Sequence, residues 1–190
     1  RLLTEVTLEV VGPPSSHKRK RDQSGKEPEV EPLRGLTHGG PGTGKSRVIR
    51  WIIRMFQEGM GWEHGKQFVC VAFQNKVAHA MGGLTLHTAG DIQIGRQNYA
   101  AQLEHNDVDK LYTKIECLRW IIFDEIFMVA DDLLGTFENN HQEAAQNASN
   151  PYYLRDQQNP RIFGGLNFMM FGDMHQLPPI PASTALFIPP

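Results

Sequence analysis

The octapeptide Gly39-Gly40-Pro41-Gly42-Thr43-Gly44-Lys45-Ser46 constrains this chain more than any other stretch. It satisfies the phosphate-loop pattern G-x-x-x-x-G-K-[ST] in full. Glycines let the backbone curl so that successive N–H groups point inward at phosphate oxygens. The Lys45 ammonium can reach the β- and γ-phosphates of a nucleotide as a mobile point charge, and the Ser46 hydroxyl can ligate Mg²⁺. The following residues place apolar side chains at 48, 49, 52, 53 and 56, the spacing of a helix with one wide buried stripe, ended by Gly59 and Gly61. The N-terminus of that helix adds the positive end of its dipole to the same phosphates. All eight loop residues are therefore candidate nucleotide contacts, with ATP and Mg²⁺ as the expected cofactors.

A phosphate loop needs a core to carry it, and here composition matters. In 190 residues, 40% are hydrophobic, enough for one domain. The apolar runs at 68–73, 120–123 and 168–171 have strand length, and helical patterns alternate with them: a short one over 74–83, one at 108–118 and one at 131–137. Residues 33–38 stand where the first strand of such a fold belongs, and residues 1–11 alternate as a short strand. Residues 138–161, rich in Asn and Gln with Pro151 and Pro160, read as a surface excursion. Residues 84–88 have no assigned element, and 90–106 are polar and unplaced. The expected fold is a three-layer α/β P-loop NTPase with a mainly parallel sheet. Residues 33–190 form that domain, preceded over 1–32 by a strand remnant and a polar linker.

The net charge of −2 makes the whole chain no electrostatic trap for nucleic acid, so any such contact must be local. No apolar run approaches bilayer-spanning length, so no membrane partner is expected. Cys70, in an apolar run, reads as a buried reduced thiol, and the histidines and cysteines show no zinc-ligand spacing. The run His17-Lys18-Arg19-Lys20-Arg21 reads as a nuclear address, a phosphate-gripping patch or a solvated charge run. The expected location is intracellular, nuclear with a mitochondrial alternative. The chain opens at Arg1 and closes at Pro190, so a piece of a longer protein is expected.

Two further sites complete the chemistry. The run Ile121-Ile122-Phe123 ends in Asp124-Glu125. A carboxylate at the carboxyl end of a buried strand lies in the usual ligand crevice of such sheets. Asp124 is the second candidate Mg²⁺ ligand, and Glu125 can orient and deprotonate an attacking water. That pair favours hydrolysis over transfer to an organic acceptor. The last strand exits into Gly172-Asp173-x-x-Gln176, where a neutral amide can hydrogen-bond to the γ-phosphate or the water. Lys45, Asp124, Glu125 and Gln176 are thus the candidate catalytic set.

GGPGTGKS, AMGGLTLHTA, IIFDEIFMVADDLL and FGGLNFMMFGDMHQLPPI occur in this order. Together they resemble the Pif-type and Helitron-transposon DNA helicases, a RecD-related branch of helicase superfamily 1. The resemblance covers about residues 33–181. It implies a RecA-like first motor domain, Mg-ATP hydrolysis, and 5′-to-3′ movement along single-stranded DNA. It also implies DNA contact by the 72–88 segment, at Gln74, Asn75, Thr85 and His87. Gln74 and Asn75 replace the threonine and glycine usual there, and Phe127 replaces a serine beside the acids. The glutamine motif that reads adenine has no match upstream, where Gln23 stands alone. The family's second RecA-like motor domain, with its arginine finger, is expected to be missing from this chain. Two rivals stay open: a decayed, transposon-derived module that binds nucleotide or DNA without turnover, and an unrelated P-loop phosphotransferase.

Overall fold

A computed structural model of the chain describes residues 7–10, 32–92, 105–147 and 161–176. The basic run at 17–21, Gln23, most of the 12–32 linker, the 148–160 part of the expected excursion and the prolines after Gln176 lie outside the described residues.

Six strands form one sheet: β1 (Thr7–Val10), β2 (Arg34–His38), β3 (Phe68–Ala72), β4 (Leu84–Thr85), β5 (Trp120–Asp124) and β6 (Asn167–Gly172). Their spatial order is β1-β2-β6-β5-β3-β4. Five strands run parallel, and β1 joins the edge by antiparallel pairing with β2. The fold is therefore α/β with a mainly parallel sheet, as its alternating pattern predicts. β2 and β3 follow each other around the first helix, yet β6 and β5 stand between them. That separation opens the crevice at the carboxyl edge where ligands bind in such sheets.

The side-chain period of two divides the core into two layers. From β3 and β5, Phe68, Cys70 and Ile122 pack with Ile49 and Phe56 on one face. Val69, Val71, Ile121 and Phe123 pack on the other face with Leu111, Ile115, Leu133 and Phe137. All five residues of β3 are buried, because both faces are covered. The first face carries α1 (Lys45–Arg54), prolonged by a wider π turn over Met55–Gly59. The second carries α3 (Leu86–Ala89), α4 (His105–Ile115) and α5 (Asp131–Asn147). A short α2 (Asn75–Ala80) follows β3 and stops before Gly82 and Gly83. Gly83 is obligatory, since a Cβ there would stand 2.3 Å from the Cys70 carbonyl oxygen.

Two expectations are corrected. The helix expected over 131–137 runs ten residues further, to Asn147, into the stretch read as a surface excursion. Its buried stripe continues through Leu133, Phe137, Asn140, His141, Ala144 and Ala145. The spacing is helical, but two polar residues and two alanines break the apolar signal. Residues 84–88, to which the sequence assigns no element, form β4 and, with Ala89, α3. Two residues of strand and four of helix are too short to show a period. Cys70 is buried as expected, and burial pushes its thiol up to about 12.

Candidate active site

β2 ends at His38, and the phosphate loop begins with the next residue. Gly42 and Gly44 take φ of +74° and +99°, conformations that other residues rarely adopt. The Thr43 hydroxyl donates to the Gly40 carbonyl at 2.9 Å and steadies the curl. Lys45 is buried, and its Nζ donates to the carbonyls of Gly39 and Gly40 at 2.5 and 3.1 Å. The ammonium is thus held inside the loop by neutral acceptors, which a phosphate, as a charged acceptor, can outcompete. Ser46 is exposed at the mouth.

The loop is joined to the neighbouring strand exit. The Gly39 N–H donates to the Gly172 carbonyl at 3.2 Å, continuing the pairing of His38 with Gly172. Beyond Gly172 the chain turns on Asp173, which is 1% exposed and accepts the His175 N–H at 2.9 Å. That turn delivers Gln176, whose Nε2 donates to Glu125 Oε1 at 3.4 Å. Glu125 follows β5 with φ 55° and ψ 42°, a left-handed conformation unusual for a glutamate. Its N–H donates to Asp124 Oδ1 at 3.0 Å. Burial, and then the charge of Glu125, push the Asp124 carboxyl up to about 6; that N–H and the Lys45 charge oppose the rise.

Lys45, the adjacent Asp124 and Glu125, and Gln176 come from three distant stretches of sequence and share one rim of the sheet. Two buried oxygens there, Glu125 Oε2 and Gln176 Oε1, meet no hydrogen-bond partner among the described residues. Buried polar atoms are rarely left so; both are acceptors, which suits a donor such as a water, or a cation. Sequence reasoning gave no role to two residues that shape this rim. Asp173 fastens the turn that carries Gln176. Phe127, where a serine was expected, is buried against Gly172: a Cβ at Gly172 would come within 2.4 Å of its ring. The missing hydroxyl is replaced by packing between the exits of β5 and β6.

The residues proposed to face DNA lie further along the same rim. Ala72, at the end of β3, pairs with Asp124 on one side and Thr85 on the other. Gln74 and Asn75 are exposed just beyond β3, and Gln74 Nε2 lies 3.8 Å from Met128 Sδ. Thr85 is occupied as the cap of α3, where its hydroxyl accepts the Thr88 N–H at 3.2 Å. His87 is half-buried beside Phe73, and burial lowers its pKa.

Residues 34–185 match the family model described as PIF1-like helicase. The chain belongs to the PIF1-like helicase family. The ATP-dependent DNA helicase PIF1 of Candida albicans is 33% identical over 150 residues, which cover 77% of this chain and 15% of that protein. A crystal structure of Bacteroides Pif1 bound to ssDNA matches with a TM-score of 0.51 and 28% identity, covering 73% of this chain and 28% of the other. A second Bacteroides Pif1 structure, in complex with ADP-AlF4, matches with a TM-score of 0.52 and 25% identity, over 75% of this chain and 28% of that one. The chain thus spans less than a third of each of these relatives, and the layered sheet described above is the RecA-like fold of this family.

Proposed function

We propose that this chain is the nucleotide-binding motor domain of an ATP-dependent DNA helicase, and that ATP hydrolysis at its rim drives 5′-to-3′ movement along single-stranded DNA. The observation that supports this reading is the convergence of Lys45, Asp124, Glu125 and Gln176 at the mouth of the phosphate loop, with two buried oxygens that meet no partner among the described residues. Family membership and the nucleotide and DNA complexes of its relatives point the same way.

In this reading the loop N–H groups and Lys45 hold the β- and γ-phosphates. Ser46 and Asp124 would hold Mg²⁺; an oxygen pair of this hardness suits that ion. The ion, when bound, neutralises charge on the phosphate oxygens. Glu125 accepts the proton of the attacking water, and Gln176 orients that water through the amide already facing Glu125. Because Gln176 extends from β6 and Glu125 from β5, loss of the γ-phosphate changes what both exits hold, and so can bias a two-state element. Gln74, Asn75, Thr85 and His87 contact the DNA backbone. The family's second motor domain supplies the remaining half of the cleft. The basic run at 17–21 directs the protein to the nucleus, which a reporter fused to residues 1–32 tests.

A phosphate-release assay with and without oligothymidine tests the function. Single-stranded DNA is expected to raise the rate, and Lys45→Ala to remove it. A phosphorylated acceptor in place of free phosphate would instead establish a phosphotransferase. A second reading, a module that binds without turnover, is favoured by Gln74 and Asn75 standing where the resemblance expects threonine and glycine. Nucleotide binding with no phosphate release at any DNA concentration would establish it.

A further inference from the structure

The segment carrying Thr85 and His87 has little to hold it locally. β4 pairs with β3 through two residues only, and α3 has four residues, too few for an independent helix. Its orientation must come from tertiary anchors: Leu86 and Ala89 are buried in the core, and the polar and aromatic anchors lie on α4 and α5. Gly90 closes α3 and is buried. Its carbonyl accepts a hydrogen bond from Asn140 Nδ2 at 2.8 Å, across fifty positions of sequence. Asn140 is 5% exposed on the buried stripe of α5. A buried amide is costly unless paired, and Gly90 supplies its acceptor.

One turn earlier on α5, Phe137 closes the same corner. A Cβ at Gly90 would stand 2.5 Å from the Phe137 ring, so the backbone rests directly against that ring. The chain then reverses through Asp91, at φ 53°, and the Ile92 N–H returns to the His87 carbonyl at 2.8 Å. Lys114 Nζ of α4 holds Asp91 Oδ1 at 3.0 Å. Three side chains from the layer behind the sheet therefore fasten the back of the segment whose front faces the rim.

We propose that Asn140, braced by Phe137, is a positioning residue: it fixes the register of Thr85 and His87 and so sets the affinity for single-stranded DNA without touching DNA or nucleotide. The inference rests on the reading that the 84–88 segment contacts DNA. Phosphate contacts demand placement to within about half an ångström, which a two-residue strand cannot supply alone.

Two affinities of the chain test it: fluorescein-labelled oligothymidine by anisotropy, and mant-ATP by fluorescence. Asn140→Leu keeps much of the side-chain volume and deletes the donor. It is expected to weaken oligothymidine about tenfold, the scale of one buried bond left unmade, with mant-ATP unchanged. Lys114→Gln, at an exposed site, should give a smaller loss in the same direction, and it carries the test if Asn140→Leu does not fold. The double variant Thr85→Ala/His87→Ala reports on the segment itself. If that variant weakens oligothymidine while Asn140→Leu and Lys114→Gln do not, the positioning role is overturned and the DNA reading stands. If the double variant has no effect, the DNA reading fails and the proposal falls with it. Equal losses of oligothymidine and mant-ATP in Asn140→Leu would also overturn it, because they mark general loosening.

Discussion

Among the described residues, two sets of buried polar groups are treated in opposite ways. At the rim, Glu125 Oε2 and Gln176 Oε1 are buried without partners among the described residues, and Asp124 sits beside another carboxylate. In the interior of α5, the polar side chains are as deeply buried and are paired. Asn140 reaches the Gly90 carbonyl, and His141 Nδ1 lies 2.8 Å from the Phe137 carbonyl with its ring stacked on Phe137. Partners made within the fold serve the fold. Acceptors left without a donor, beside a phosphate loop, have room for one, such as a water.

That contrast can be broken or sharpened, from the largest expected effect down. Glu125→Gln should leave nucleotide binding in place and lower the rate of phosphate release by ~10²–10⁴, the usual contribution of a general base; full turnover in that variant would assign the base elsewhere. Lys45→Ala should weaken mant-ATP binding by ~100-fold, since it deletes a charge-assisted donor to phosphate; near-normal binding would remove the rim from nucleotide recognition.

Two pH effects of opposite sign come next. Asp124 is raised from 3.8 to about 6, so its stabilising protonated form is fully present below pH 3.8 and lost as pH rises through 6. Asp124→Asn keeps an acceptor for the Glu125 N–H and removes the charge. It should therefore stabilise the nucleotide-free chain at pH 7.5 by about 2 kcal/mol, an advantage that disappears near pH 4. His141 runs the other way. Burial lowers it from 6.5 to about 4, so the stability of its neutral form is present above 6.5 and lost as pH falls through 4. Between pH 4 and 6 the two groups offset each other in the native chain. Urea titrations across this range should show Asp124→Asn more acid-labile than the native chain and His141→Leu less so. Parallel curves for both variants would show that neither group controls the pH response. At the small end, Arg54→Ala breaks an ion pair with Glu58 that lies in open solvent, and should leave the melting temperature unchanged within error.

Much of the rim can be read from the letters. The phosphate loop declares itself because each residue type is required where it stands: positive φ at Gly42 and Gly44, a cation at Lys45, a hydroxyl at Ser46. β3 and β5 are visible because strands covered on both faces are apolar at every position. The far half of α5 was hidden, since Asn140 and His141 occupy buried positions that an apolar pattern would leave to Leu or Ile. β4 and α3 were hidden by shortness. Phe127 registers in sequence only as a departure from the family's serine. Its packing against Gly172 becomes visible once the exits of β5 and β6 are side by side.

The sequence alone determined the local chemistry: where the backbone can curl around phosphate, which runs must be buried, and which strand ends carry acid or amide. These depend on sterics and hydropathy within a few neighbouring residues. The tertiary structure decided which of those ends meet. Strand order sets β6 and β5 between β2 and β3, which brings Gln176 to Glu125 and the Gly172 carbonyl to Gly39. The same packing brings Asn140 to Gly90. Partners for buried polar groups come from elements tens of residues apart, and only the global arrangement of layers decides which of those groups are satisfied and which are left for a ligand.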